Sequence, residues 1–74
     1  MTRCEHCERF SGRYTMQNAC CQVRLVALMP KARRLAAFAK VRAERGDDAA
    51  QALREATANE YRRWKAYRAS LFLP

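Results

Sequence analysis

Glu44-Arg45-Gly46-Asp47-Asp48 reads as the joint between two helices. Cations in a last turn suit the negative end of a helix, and glycine is favoured just past it. The two aspartates can cap the next helix and complement its dipole. So short a link predicts antiparallel helices. The earlier helix runs back from about Arg45 to Pro30, whose missing N–H costs nothing in a first turn. The later one runs from about Asp48 to Leu71, with Ala49, Leu53, Ala56, Trp64, Tyr67 and Leu71 on one stripe. Glu60 interrupts that stripe. A carboxylate there is expected to pair with an arginine of the preceding helix, or to mark where the stripe is exposed.

Upstream, Asn18 stands where an N-cap belongs, and Ala19 to Met29 reads as a shorter helix. Apart from two cysteines, only Gln22 and Arg24 in it are polar, so it must be covered on nearly all sides. Arg9-Phe10-Ser11-Gly12-Arg13-Tyr14-Thr15 alternates loosely about a Ser-Gly pair and predicts a short β-hairpin, with Gly12 at positive φ. The expected fold is mainly α: an N-terminal zinc knuckle with a short β-hairpin, then three helices. Residues 1–74 form a single domain, with a knuckle module at 1–21 and a helical part at 22–74.

The knuckle rests on Cys4-x-x-Cys7 and the adjacent pair Cys20–Cys21, the four cysteines of a chain of 74 residues. A single core in a chain this short gives only a few kcal/mol and is usually supplemented by a metal or disulfides. The large apolar side chains are few, and much of the apolar content is alanine. Met1-Thr2-Arg3-Cys4-Glu5-His6 lacks the apolar stretch of a signal peptide, and the run Val26–Met29 is too short to span a bilayer. A reducing cytoplasm is therefore expected, where clustered cysteines hold metal more often than they bridge. The predicted site is one zinc ion on Cys4, Cys7, Cys20 and Cys21. The alternative takes His6 or an outside ligand as fourth donor and leaves one of the adjacent cysteines as buried filler. Neighbouring residues on a helix point about 100° apart, so both Cys20 and Cys21 bind only if the helix start is distorted or Cys20 precedes it. Nothing around the cysteines forms an active site, and no enzymatic activity is expected.

Lys and Arg total 15 against seven Asp and Glu, a net charge of +8. Residues 31–45 hold six of the basic groups and one acidic group, and such a field attracts phosphate backbones or acidic protein faces. Lys31, Arg34, Arg42 and Arg45 gather on one side of their helix around Phe38, with Arg33 and Lys40 behind. A second cluster, Arg62, Arg63, Lys65 and Arg68, interleaves with Tyr61, Trp64 and Tyr67. Aromatics among cations can stack on bases and hold phosphates, although Trp64 and Tyr67 also lie on the apolar stripe and are expected in the core.

The pattern Cys21-Gln22-Val23-Arg24-Leu25, Leu28-Met29-Pro30, Arg33-Arg34, Val41-Arg42, Arg45-Gly46, Ala49, Leu53 and Tyr61 resembles a group of small proteins encoded by bacteriophages and prophages. The resemblance implies a bacterial cytoplasmic setting and an accessory, non-enzymatic role. The Cys4-x-x-Cys7 knuckle is also similar to that of small zinc-finger regulators of bacterial transcription, which usually repeat the motif. Two functions are expected in turn. The first is a regulator that binds nucleic acid or a nucleic-acid machine such as RNA polymerase. The second is an inhibitor that binds an acidic face of a host protein such as a nuclease. A helix-turn-helix reader is disfavoured, because the third helix lacks a clean polar reading face.

Overall fold

A computed structural model describes residues 3–72 as four helices: α1 Glu5–Glu8, α2 Ala19–Ala27, α3 Lys31–Arg45 and α4 Asp47–Ser70. The mainly α expectation holds, and the three predicted helices are α2, α3 and α4. No strand occurs among the described residues, so the β-hairpin at Arg9–Thr15 is not formed. The reason lies at the end of α1. The Ser11 amide donates to the His6 carbonyl at 3.0 Å and the Phe10 amide to the Cys7 carbonyl, a closing pair that turns the chain sharply after one helical turn. Phe10 takes the left-handed conformation this closure needs, with φ 52°, at a cost of about 1–2 kcal/mol. Gly12 does not carry the positive φ expected of it. The carbonyls of Ser11 and Arg13, which a hairpin would pair across strands, accept instead from the Arg24 guanidinium.

Gly46 is the joint between α3 and α4, at φ 95°, its amide donating to Arg42 and its carbonyl accepting from Ala50. It occupies the N-cap position of α4, so Asp47 and Asp48 sit inside the first turn, where they complement the dipole without capping it. Asn18 likewise marks the start of α2 while its side chain caps nothing. Pro30 precedes α3 by one residue and accepts from the Arg34 amide through its carbonyl. The hairpin of α3 and α4 is the frame. α2 lies across α4 and touches α3, and α1 sits against α2. At 24 residues α4 is about 36 Å long, which gives the molecule its long dimension of 45 Å against 23 and 17 Å.

The interior is unusually poor in large side chains. Fully buried apolar residues are Cys7, Cys20, Cys21, Val23, Ala27 and Ala50. The cysteines, with Cys4 and Tyr14 packed on them, form the one hydrophobic cluster of the described residues. α3 buries no residue completely. On α4 the buried positions are Ala50, Thr57 and Glu60, not the whole predicted stripe. Ala49, Leu53, Ala56 and Trp64 are half-buried, whereas Tyr67 and Leu71 are exposed. Glu60 thus lies on the covered face rather than breaking it, because that face meets the polar backbone and cations of the knuckle. Its partners are Arg3, at 3.4 Å, and Arg63 one turn along α4, not an arginine of α3.

Candidate metal centre and cationic face

The sulfurs of Cys4, Cys7, Cys20 and Cys21 all lie within 4.8 Å of one another, with Cys4–Cys21 at 3.4 Å and Cys7–Cys21 at 3.6 Å. None is in a disulfide. Four sulfurs at tetrahedral positions 2.3 Å from one ion would sit about 3.8 Å apart, so the spacing fits a metal such as zinc. His6 stands outside the group, and its Nδ1 is paired with the Ser11 hydroxyl at 3.1 Å. Both Cys20 and Cys21 lie within the first turn of α2, so Cys20 does not precede the helix. They reach one point because Cα–Cβ bonds tilt toward a helix N-terminus, where adjacent first-turn side chains lean over the helix end. That end also favours thiolate through its free amides and dipole. The Cys4 amide reinforces this by donating to the Cys20 sulfur at 3.3 Å.

The thiols are unequal. A hydrogen bond from the Cys7 backbone amide holds the Cys4 thiol down at about 6, while burial pushes the Cys7 thiol up to about 12. Cys4 thus leans toward the thiolate, and a cation taking up Cys7 must displace its proton.

Arg24 is 1% exposed, on α2, with no carboxylate partner among the described residues. Its guanidinium donates to the carbonyls of Ser11 and Arg13 and stacks 4.1 Å over the Tyr14 ring, while its Nε is buried without a partner. Arg63 donates to the Cys7 carbonyl at 2.7 Å and to Glu60, and covers the Phe10 ring at 4.1 Å. Arg3 precedes Cys4 and reaches the same carboxylate. Three guanidiniums beside one buried carboxylate, Glu60, favour anionic sulfur donors.

Arg24 was missed as a site residue by the sequence reading, although a signal was present. It is the one cation of a largely apolar helix, four residues after Cys20 and three after Cys21, hence on their face. Replacing it with methionine removes a compensating charge and both carbonyl contacts, and outer contacts of this kind are worth about 10–100-fold in metal affinity. Arg24→Met is expected to lose that much in a competition titration against a chromophoric chelator, with Arg24→Lys recovering part of it.

The predicted binding residues separate into three groups. Lys31, Arg33, Lys40, Arg42, Arg45, Arg62 and Lys65 are exposed. Arg34 is half-buried, its guanidinium 5.7 Å over the Tyr61 ring, with the Lys65 ammonium at 5.7 Å from the same ring. Arg63 is committed to Glu60, Cys7 and Phe10, and so belongs to the knuckle rather than to a free cationic surface. Tyr61 and Trp64 stack at 5.8 Å, Arg68 covers Trp64 at 5.4 Å, and Tyr61 is exposed. No helix of the described residues is long and apolar enough to cross a membrane.

Residues 17–66 match a family of unknown function, DUF7696. The chain belongs to that family. The DUF7696 region takes in α2, α3 and most of α4, and with them Cys20, Cys21, Arg24 and Glu60. It begins after Cys4 and Cys7, so the knuckle's first pair lies outside the DUF7696 match while Arg24 and Glu60, which serve it, lie inside. No curated protein and no solved structure matches the chain.

Proposed function

We propose that this DUF7696 protein is a small zinc-stabilised, basic, non-enzymatic regulator. It acts on a nucleic-acid machine, contacting nucleic acid or docking on a protein such as RNA polymerase to modulate transcription, in a bacterial cytoplasm as its likeness to phage-encoded proteins implies. The observation that carries this reading is the exposed cationic surface of the α3–α4 hairpin. Lys31, Arg42 and Arg45 are exposed on one side of α3 with Arg33 and Lys40 behind them, Arg62 and Lys65 are exposed on α4, and the ion pairs among the described residues involve only Arg3, Arg9 and Arg63. Exposed cations outside any ion pair among the described residues are available to an anionic partner. Zinc on Cys4, Cys7, Cys20 and Cys21 would be the structural element that sets the hairpin's frame, since thiolate donors and a closed tetrahedral arrangement are its preferred coordination.

Fluorescence anisotropy with a labelled oligonucleotide at stepped salt tests the direct form. Log affinity is expected to fall linearly with log salt, with a slope of about −0.9 per phosphate contacted on duplex. Replacing Arg33 and Lys40 by alanine shallows that slope by one to two contacts. Absence of binding at low salt removes nucleic acid as the direct ligand and leaves a protein partner. The second reading, an inhibitor seated on an acidic face of a host protein such as a nuclease, is favoured by one observation: the cations flank an apolar groove, which phosphate alone does not fill.

A further inference from the structure

The groove between α3 and α4 has a volume of about 430 Å³ and is lined by Leu35, Phe38, Ala58 and Tyr61 with the buried Thr57 among them. Lys31, Arg34, Arg54 and Arg62 line its edges, and no carboxylate does. Leu35 is 50% exposed there, and nothing among the described residues covers it. Two of the edge cations are held against aromatic rings. Arg54 stacks over Phe38 from across the groove at 5.2 Å and Arg34 over Tyr61, and none of the four is in an ion pair among the described residues.

The spacing of the lining residues says what shape fits. On α4 they are Arg54, Thr57, Ala58, Tyr61 and Arg62, and on α3 they are Lys31, Arg34, Leu35 and Phe38. Both sets include i, i+3, i+4 and i+7, one seam along each helix. The two seams side by side, about 12 Å long from Arg54 to Arg62, form a trough for about two turns of a third helix. A second copy of the chain would set Lys31, Arg34, Arg54 and Arg62 against the same four residues of its partner, because a two-fold interface pairs each patch with itself. A phosphate backbone has no apolar ridge to occupy Leu35 and Phe38.

We infer that this groove docks an amphipathic helix of a partner protein, with apolar side chains at i, i+3, i+4 and i+7 entering the floor and Asp or Glu on its flanks meeting the four edge cations. This rests on the proposal that the α3–α4 face is the binding surface, and it names the partner's chemistry there. The acidic flanks would steer encounter, and the apolar seam would supply the affinity.

The test uses the full zinc-loaded chain and a labelled synthetic helix of about 18 residues, with leucine at the seam positions and glutamate flanks. Anisotropy is expected to saturate with the glutamate peptide and to stay flat with a peptide of the same leucines and lysine flanks. Leu35→Ser weakens the glutamate peptide at least tenfold with helical circular dichroism and zinc content unchanged, since Leu35 is half exposed. The double variant Lys31→Glu with Arg62→Glu reverses the preference toward the lysine peptide. Equal binding of both peptides, or indifference to Leu35→Ser, overturns the inference. If the glutamate peptide fails while an oligonucleotide binds in competition with nothing but salt, helix docking falls and the anionic-surface reading stands. If neither binds, both fall.

Discussion

Removing the metal with a strong chelator at neutral pH is expected to abolish the helical circular dichroism of the whole chain, not of the knuckle alone. The core gives the reason: three of its six fully buried apolar residues are cysteines and two are alanines. Burying alanine in place of leucine forgoes several methylene groups, each worth about 0.8 kcal/mol. A chain of this length has a net stability of about 4–11 kcal/mol, whereas structural zinc sites contribute apparent free energies of about 10–16 kcal/mol. An ion held by the four sulfurs would therefore decide whether the chain is folded. Elemental analysis should give one zinc per chain, and re-addition should restore the spectrum. Cys7→Ser, at a wholly buried ligand, should behave as the chelated protein does, while His6→Ala should keep full metal content. A chain that stays helical with no bound metal would refute this account.

The second large effect is expected at Glu60. This carboxylate is 3% exposed and holds Arg3 and Arg63, and Arg63 in turn holds the Cys7 carbonyl and lies against Phe10. Removing one partner of a buried pair costs about 3–5 kcal/mol, because a charge is left desolvated and alone. Arg3 and Arg63 keep some contact with water, so Glu60→Ala should fall near 3 kcal/mol. In a domain of this size that lowers the melting temperature by about 12–24 °C. Glu60→Gln, which still accepts hydrogen bonds, should lose less. Thermal unfolding followed by circular dichroism in excess zinc measures both, and an unchanged Tm for Glu60→Ala would show that the knuckle is not held to α4 through this carboxylate.

Local chemistry was legible and cross-chain chemistry was not. Gly46 and the cations before it announced the α3–α4 joint, and Cys4, Cys7, Cys20 and Cys21 announced their cluster, because helix ends and metal ligands carry residue-type signatures over a few positions. The β-hairpin was misread because Arg9–Thr15 has the alternation and small residues of a turn. What overrides them is Arg24, eleven residues beyond Arg13, which takes the carbonyls that a strand pairing would have used. Glu60 was correctly expected to be paired, but its partners are set by how α1 and residues before it dock on α4, which spacing along one helix does not encode. The exposure of Tyr67 and Leu71 has a similar origin. Their phase on α4 is right for burial, but α2 covers only part of a helix 24 residues long.

That α3 buries no side chain completely bears on how tightly the face it carries can grip anything. A segment anchored by half-covered contacts opens at low free energy relative to the rest of its domain. A ligand arriving on it must therefore first quieten the strand of chain it lands on, and part of the contact energy is absorbed in doing so. Complexes formed there should come apart readily, a behaviour better suited to repeated brief engagement than to permanent assembly.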